Sequence, residues 1–226
     1  MSIAIAIDGP AGAGKSTISK SAAKRLGFIY IDTGALYRTV GLAASRAGVE
    51  PVEGEAVDKL LESITVELAF NDKGEQIVLL NGEDVSGLIR TPEASMMASK
   101  ISAVHAVRAF LLDLQRDMAK KDNVIMDGRD IGTVILPDAE VKIFLTASPE
   151  ARAERRYKEL VEKGMDVKYE DILEDVKTRD YNDSHRAIAP LKHADDAVLA
   201  DTTEIDLEGS IDLIVKIIKE NSNGAV

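Results

Sequence analysis

Apolar residues along this chain form short continuous runs that alternate with runs at helical spacing. The first run, Ile3 to Ile7, is rich in β-branched residues and uninterrupted, which predicts a strand buried on both faces of a parallel sheet. Lys15 to Leu26 then places apolar residues on one helical face and stops before Gly27, a residue type that often ends helices. The sequence therefore begins as strand, loop and helix.

The same alternation continues toward the C-terminal end. Strands that alternate with helices indicate an α/β fold, in which a parallel sheet is flanked by helices. Asn221 to Val226 is expected to be a frayed tail. Further strands are predicted at Phe28 to Ile31, Val124 to Met126, Val141 to Leu145 and Ala197 to Leu199, and helices at Pro149 to Lys163 and Asp206 to Lys219.

A hairpin pattern interrupts this alternation and predicts a small antiparallel β insertion at about residues 63–103. Pro92 to Ala103 is predicted to be a helix that leads back to the core. With 226 residues, the chain is long enough for one domain, 1–226, that carries this insertion. The hairpin pattern consists of Ile64 to Phe70, the turn Asn71-Asp72-Lys73-Gly74, Gln76 to Leu80, the turn Asn81-Gly82 and Glu83 to Ser86.

Composition narrows the class of protein. The chain is 45% hydrophobic and 30% charged, and no apolar run approaches the roughly 18 residues that a membrane-spanning helix needs. Ser2 to Ile7 has no basic leader, so we expect no secretion signal and a cytoplasmic protein. The absence of cysteine excludes disulfides, thiolate nucleophiles and cysteine-based zinc sites.

The charge balance argues against a nucleic-acid partner. A net charge of −11 opposes nonspecific binding to DNA or RNA, which depends on basic surface. The three histidines, His105, His185 and His193, lack metal-ligand spacing, so no transition-metal site is expected. Any functional basic cluster is therefore local.

The segment between the first strand and the first helix fits a phosphate-binding loop. Gly9 and Gly14 are separated by four residues and are followed by Lys15 and Ser16. Such a loop turns its backbone N–H groups toward the phosphates of a nucleotide, and the helix N-terminus adds its dipole. We expect Lys15 to reach the β- and γ-phosphates of ATP and Ser16 to bind Mg²⁺. The alternatives are an ordinary glycine-rich turn, and a dinucleotide-binding loop, whose glycine spacing differs.

A carboxylate follows a neighbouring predicted strand. Asp127 comes directly after Val124 to Met126, where it is expected to hold Mg²⁺ through water. The alternative is a turn aspartate at the end of a strand. Kinases and GTP switches both use this arrangement, but a switch needs an Asn-Lys-x-Asp segment. The nearest string, Asn71-Asp72-Lys73, has the wrong order.

Two further segments follow predicted strands and are candidates for the acceptor of a phosphoryl group. Asp32 to Arg38 follows the second strand, and Asp127 to Asp130 follows a later one. Ligands of open α/β sheets bind at the carboxyl ends of the strands. We therefore expect Arg38 and Arg129 to face the same cleft.

Two predicted helices carry arginines in patterns that suggest ligand contact. On the first, Arg152, Arg155 and Arg156 share a face opposite Ala153, Tyr157 and Leu160, which is expected to close over ATP as a lid. Glu154 and Glu159 allow the alternative of a solvated face of ion pairs. On the second predicted helix, one face starts apolar and then becomes charged, which suggests contact with a ligand. The alternative is a solvated ladder of ion pairs. Its members are Ile172, Val176, Arg179, Asp183 and Arg186.

With these motifs in place, the sequence resembles the bacterial cytidylate kinases over essentially its full length. The resemblance lies in five blocks that stand in the family's order and spacing: Gly9 to Thr17, Asp32 to Arg38, Asp127 to Thr133, Pro137-Asp138-Ala139 and Arg186 to Leu191. Thr33 departs from the pattern slightly, since some family members have serine there.

The resemblance implies a nucleoside monophosphate kinase fold, with a P-loop NTPase-type core, a lid at about 149–164 and an enlarged monophosphate-binding part. It also implies transfer of a phosphoryl group from ATP to CMP or dCMP with Mg²⁺. We expect small-molecule substrates, no nucleic-acid or membrane partner, and a monomer. The alternatives left open are a kinase for AMP, UMP or shikimate, and a nucleotide-dependent binding switch.

Residue roles follow from the resemblance, position by position. Asp130 is favoured over Asp183 as the group that accepts a hydrogen bond from the cytosine N4 amine. Because the attacking phosphate oxygen is already ionised near neutral pH, no general base is expected. The catalytic candidates are Lys15, Arg129, Arg152 and Arg156. The ATP-binding candidates are Gly9, Pro10, Ala11, Gly12, Ala13, Gly14, Lys15, Ser16 and Thr17. The CMP-binding candidates are Arg38 and Arg129 on the phosphate, Ser99, Arg108, Asp130 and Arg186 near the base or its phosphate, Thr33, Arg179 and Asp183 on the sugar, and Tyr37.

Overall fold

The computed structural model of the protein describes residues 2–71 and 76–222. It divides the chain into two compact units. The first unit is Met1–Tyr30 with Lys121–Val226, and the second is Ile31–Lys120. The predicted insertion at about 63–103 falls within the second unit. The single-domain organisation and the bounds of the insertion and the lid stay predictions.

A five-stranded sheet forms the centre of the first unit, in the order β2-β6-β1-β7-β8. Strand β1 pairs in parallel with β6 and with β7, and β7 pairs in parallel with β8. The predicted parallel α/β sheet is confirmed. Its strands are β1 (Ala4–Asp8), β2 (Ile29–Asp32), β6 (Val124–Gly128), β7 (Val141–Thr146) and β8 (Val198–Asp201).

Helices of the first unit bury apolar faces together with this sheet. Ile5 and Ile143 of the strands, Ile18 and Ala22 of α1 and Ile214 of α8 belong to one buried core. The burial of both faces of β1 and β6 explains their continuous apolar sequence. The elements are α1 (Lys15–Leu26), a π-helical turn (Ile131–Ile135), α6 (Pro149–Glu162), α7 (Tyr169–His185) and α8 (Leu207–Asn221).

The second unit has its own core and a small antiparallel sheet. Strands pair in the order β3-β4-β5, with Val66 opposite Leu80 and Phe70 opposite Gln76. Leu36, Val78 and Leu111 are among the side chains that fill this core. The predicted hairpin is therefore confirmed. The elements are α2 (Thr33–Ala47), α3 (Glu55–Ser63), β3 (Val66–Phe70), β4 (Gln76–Leu80), β5 (Glu83–Asp84), α4 (Pro92–Ile101) and α5 (His105–Lys121).

Several boundaries differ from the sequence predictions. Arg186 was placed on the charged helical face, but α7 ends at His185 and Arg186 has an extended backbone. The predicted frayed tail is wrong at its start, because Asn221 ends α8 and Ser222 is fully buried. The rest of that tail, 223–226, lies outside the described residues, as do residues 72–74 of the predicted hairpin turn.

None of the helices in the described part of the chain is long and apolar enough to cross a membrane.

One buried side chain in α5 lacks the partners that its chemistry requires. Gln115 is fully buried, and neither its amide oxygen nor its amide nitrogen finds a hydrogen-bond partner among residues 2–71 and 76–222. A buried amide without partners costs about 1–3 kcal/mol. The isosteric apolar residue at this position is methionine.

We expect Gln115→Met to raise the free energy of unfolding by about 1–2 kcal/mol, because it removes that desolvation cost at similar volume. Urea unfolding followed by circular dichroism measures the change. Gln115→Glu is the matched variant of opposite sign, since it buries a carboxyl group at the same place and should destabilise. A destabilised Gln115→Met variant would show that the amide is satisfied in solution.

Candidate active site

The phosphate-loop segment connects β1 to α1, as the sequence predicts. Gly9 lies so close to β7 that a Cβ atom there would be 1.9 Å from the carbonyl oxygen of Leu145. Gly12 has a φ of +76°, a left-handed conformation that favours glycine. Both glycines are therefore required by the backbone path, and the loop brings its N–H groups to the N-terminus of α1.

Lys15 is buried at the start of α1. Its Nζ donates to the carbonyl oxygen of Pro10 at 2.7 Å, so the side chain folds back over the loop. Burial, and then the positive charge of Arg129, lower the pKa of Lys15 from 10.5 to about 7. The protein thus holds a desolvated amino group against its own loop, in the position where a phosphate oxygen would relieve the cost of burial.

Ser16 and Asp127 bring two oxygen ligands together. The Ser16 hydroxyl donates to Asp127 Oδ2 at 3.0 Å, and the Tyr30 hydroxyl donates to Oδ1 of the same carboxylate at 3.2 Å. Asp127 is buried at the end of β6, next to β1. Hydroxyl and carboxylate oxygens are the donor types that Mg²⁺ prefers, so this pair fits that cation.

Asp8 is a buried carboxylate to which sequence reasoning gave no role. Its two oxygens accept hydrogen bonds from the backbone N–H groups of Ile131 at 2.7 Å and Gly132 at 2.8 Å. Burial raises the pKa of Asp8 to about 6, although these two hydrogen bonds oppose the shift. Asp8 thereby anchors the segment that directly follows Arg129 and Asp130.

Two ion pairs connect the segment after β6 with α7 and the residues that follow it. Arg129 Nε donates to Asp183 Oδ2 at 2.8 Å, and Arg186 Nη2 lies 3.4 Å from Asp130 Oδ1. Asp130 is almost fully buried. The structure therefore groups four of the predicted acceptor-binding residues in the first unit.

Arg179 lies one helical turn before Asp183 on α7. Burial, and then the positive charge of Arg129, lower the pKa of Arg179, while Asp183 opposes the shift. Arg156 also lowers it. In the first unit Arg129 thus repels both Lys15 and Arg179, and Arg156 repels Arg179, a concentration of positive charge that suits a polyanion.

On α6, Arg152 and its neighbour Ala153 are both buried. The ligand role of the arginine face stays a prediction. Arg152 is satisfied by two backbone carbonyls and by Asp180 of α7, which explains why its charge is tolerated inside. Arg155 Nη2 donates to the carbonyl oxygen of Thr202 at 2.5 Å. Arg156 makes an exposed pair with Glu159 at 2.8 Å.

In the second unit, Asp32 organises the start of α2. Its Oδ1 accepts from the backbone N–H of Ala35 at 3.1 Å, and its Oδ2 accepts from Arg38 Nη2 at 2.7 Å. A Cβ atom at Gly34 would lie 3.1 Å from both Asp32 Oδ1 and Arg38 Nη1, so glycine leaves room for this pair. The buried Nε of Arg38 finds no acceptor among the described residues.

The other predicted acceptor-binding residues of the second unit lie on three helices. Thr33 and Tyr37 of α2 are buried, and the guanidinium carbon of Arg108 on α5 lies 5.8 Å from the centre of the Tyr37 ring. Arg108 also donates to the carbonyl oxygen of Ser102 at 3.3 Å. Ser99 is half-buried on α4.

Sequence reasoning missed Asp8, Tyr30 and Asp180 as site residues. Asp8 ends a continuous apolar strand directly before the phosphate loop, and that position was a usable signal. Tyr30 and Asp180 meet partners 97 and 28 residues away along the chain, so spacing alone offers no signal for them.

Comparison of the chain with known proteins agrees with the geometry of the site. The family model described as Cytidylate kinase matches residues 5–220. The chain is 50% identical over 215 residues to a cytidylate kinase of Caldicellulosiruptor saccharolyticus, which covers 95% of each chain. It is also 50% identical over 216 residues to a cytidylate kinase of Lactobacillus johnsonii, which covers 96% of this chain and 94% of the relative.

We expect Lys15→Met to stabilise the protein in a pH-dependent manner. The pKa of Lys15 is about 7 in the folded protein and 10.5 when unperturbed, so between these values the unfolded chain binds more protons. Stability from this group therefore rises with pH in the wild type. Lys15→Met lacks this increase of stability with pH. The amount by which its free energy of unfolding exceeds that of wild type should therefore be largest near about pH 6 and smaller at about pH 9.

Urea unfolding across that pH range measures the difference between Lys15→Met and wild type. Lys24→Met is the matched control, because Lys24 is an exposed lysine of the same helix. A difference that stays constant with pH would contradict the desolvated state of Lys15.

Proposed function

The chain belongs to the cytidylate kinase family, and from this premise we propose that it transfers the γ-phosphoryl group of ATP to CMP or dCMP. The products are ADP and CDP or dCDP. The observation that carries the proposal is the buried Lys15 amino group, held against the phosphate loop beside the Ser16 and Asp127 oxygens. A phosphate loop with a lysine amino group beside it and a paired hydroxyl and carboxylate is what phosphoryl transfer from a nucleotide requires.

Lys15 and the loop are proposed to bind the phosphates of ATP. Residues Gly9 to Thr17, apart from Pro10, supply backbone N–H groups, and Lys15 exchanges its hydrogen bond with the Pro10 carbonyl for one with a phosphate oxygen. This exchange replaces a neutral acceptor by an anion, which strengthens the hydrogen bond in a buried setting.

Ser16 and Asp127 are the residues that would hold Mg²⁺, Ser16 directly and Asp127 through water. When bound with ATP, Mg²⁺ supplies positive charge that offsets the charge on the transferring phosphoryl group. The Tyr30 hydroxyl fixes the orientation of the Asp127 carboxylate by occupying its second oxygen.

Acceptor roles in the first unit fall on the residues grouped around α7. We assign Arg129 to the phosphate of the acceptor, Arg179 and Asp183 to its sugar, and Asp130 with Arg186 to its base. Arg129 makes a hydrogen bond through Nε to Asp183, so a pre-oriented guanidinium is offered to a phosphate. Arg186 in turn orients the Asp130 carboxylate.

Acceptor roles in the second unit rest on Arg38 and its surroundings. The pairing of Arg38 with Asp32 and the unsatisfied Nε support a role in binding the phosphate of CMP. Arg108, held over the ring of Tyr37, and Ser99 are assigned to the base or its phosphate. Thr33 is assigned to the sugar.

Catalysis in this proposal is positioning and charge neutralisation. The acceptor phosphate oxygen attacks without a general base, because it is already ionised. Lys15 and Arg129 offset charge on the transferring group, and Arg156 joins them when α6, as part of the lid at about 149–164, closes and excludes water. Arg156 is suited to this movement, since its only described ion pair is an exposed one with Glu159. We further propose that the enzyme is a cytoplasmic monomer.

The proposed acceptor specificity predicts the outcome of an ADP-release assay with ATP and Mg²⁺. CMP and dCMP should turn over far faster than UMP, AMP or shikimate, because the site offers a buried carboxylate to an N4 amine. A polar mismatch of this kind costs a few kcal/mol, about 10²-fold or more in kcat/KM. Equal use of UMP, or turnover of shikimate, would contradict the assignment. A requirement for GTP in place of ATP would favour a nucleotide-dependent switch.

Asp130→Ala should narrow the gap between CMP and UMP by reducing kcat/KM for CMP more than for UMP. The reason is hydrogen-bond polarity, since uracil presents a carbonyl where cytosine presents an amine. Steady-state kinetics with both substrates measure the gap in wild type and variant. Asp138→Ala, which alters an exposed aspartate of the same stretch, is the matched control. If Asp130→Ala still discriminates between CMP and UMP as strongly as wild type, Asp130 does not recognise the base, and Asp183 becomes the candidate.

A further inference from the structure

Arg152 makes an unusually complete set of contacts for an arginine near a phosphate loop. Its Nε donates to the carbonyl oxygen of Ala147 at 2.9 Å, and its Nη1 donates to the carbonyl oxygen of Ala11 at 2.9 Å. Both of its terminal nitrogens also pair with the Asp180 carboxylate, at 2.8 and 2.5 Å. Only 2% of Arg152 is exposed.

These contacts leave little of Arg152 for a ligand. A buried guanidinium is stable only when acceptors surround it, and four acceptor interactions from one carboxylate and two carbonyls do so here. To reach ATP, Arg152 would have to give up its ion pair with Asp180 and its bonds to the two carbonyls, although its own side chain is only 3% exposed and that of Asp180 is 27% exposed. The geometry therefore disfavours the direct phosphate contact expected from the sequence.

The contact with Ala11 has a consequence for the phosphate loop. In a planar trans peptide, the C=O of one residue and the N–H of the next point in opposite directions. By holding the Ala11 carbonyl, Arg152 therefore directs the N–H of Gly12 to the other side of the loop. Loop N–H groups so directed bind nucleotide phosphates.

We propose that Arg152 is a positioning residue that presets the Ala11–Gly12 peptide for ATP, and that Asp180 of α7 holds Arg152 in place for this task. The proposal rests on the proposed function only in taking ATP as the ligand of the loop. It also makes the loop depend on α7, because α7 carries Asp180 three residues before Asp183, the partner of Arg129.

A double-mutant cycle tests this role. Wild type, Arg152→Lys, Asp180→Asn and the double variant are titrated calorimetrically with a non-hydrolysable ATP analogue and Mg²⁺, without CMP. Each single variant should weaken binding by about tenfold, the equivalent of one charge-assisted hydrogen bond. The double variant should bind no more weakly than the weaker single variant, because both changes release the same peptide.

Kinetics supply a second readout that a general loss of stability would not reproduce. The Gly12 N–H binds phosphate in the ground state and in the transition state alike, so the KM for ATP should rise while kcat at saturating ATP changes little. Arg25→Lys is the matched control, since Arg25 also uses its terminal nitrogens in ion pairs, with Glu208 and Asp212, but on the surface. It should leave ATP binding and KM unchanged.

Three results would overturn the proposal. Thermal midpoints that fall while binding of the analogue stays at the wild-type value would make the Arg152–Asp180 pair merely structural. Additive losses in the cycle, with a fall in kcat and an unchanged KM, would show direct contact of Arg152 with the transferring group. If Arg152→Lys does not fold, the test rests on Asp180→Asn alone. Unchanged binding of the analogue by that variant would then contradict the proposal. Failure of wild type to bind the analogue would instead contradict the proposed function.

Discussion

Buried positive charge is the constraint on which the first compact unit depends. Lys15 and Arg152 are both almost fully excluded from water, and a buried cation without acceptors would cost several kcal/mol. The chain meets this cost with acceptors placed on neighbouring elements, the Pro10 carbonyl for Lys15 and the Asp180 carboxylate for Arg152. The sheet order puts β6 and β7 on either side of β1. The negative charge of Asp127 at the end of β6 thereby favours the charged form of Lys15, and the Ala147 carbonyl after β7 accepts from Arg152.

The same constraint explains why the loop is prepared for an anion. Lys15 is buried, bonded to a neutral carbonyl and repelled by Arg129, so its charged form is poorly stabilised and its pKa falls to about 7, with burial as the largest cause. A nucleotide phosphate would reverse both effects, because it offers negative charge to Lys15 and to Arg129 at once. Binding of a phosphate would therefore offset the unfavourable free energy of burying Lys15 near Arg129. For this reason the site favours polyanions over neutral ligands.

Much of this arrangement could be predicted from the sequence, for identifiable reasons. The phosphate loop and the strand that precedes it are local features, so their residues, spacing and secondary structure sufficed to place Lys15, Ser16 and the end of α1 at Gly27. Asp127 was predicted because it directly follows an apolar strand. The burial of Arg152 could not be predicted, because helical periodicity reports which residues share a face and not which carboxylate on another helix lies within reach. The ion pair with Asp180 allows this arginine to be buried against the usual preference of arginine for solvent. Asp8 was overlooked for the related reason that its partners are backbone N–H groups, whose positions only the folded chain defines.

Three arginines of the first unit, Arg152, Arg129 and Arg156, can be ordered by the exposed fraction of their side chains. Side-chain exposure rises from 3% for Arg152 through 25% for Arg129 to 40% for Arg156. An arginine whose hydrogen-bond donors are all bonded to the protein stabilises the conformation of the groups around it. An arginine with donors open to solvent can bond to a ligand. By this criterion Arg152 sets the shape of the loop, and Arg129 is oriented by Asp183 yet open to a phosphate. Arg156 has only an exposed pair with Glu159, which holds it weakly and fits the lid role proposed for it. The order of exposure thus matches the three roles proposed for these side chains, namely loop positioning for Arg152, acceptor contact for Arg129 and a lid residue for Arg156.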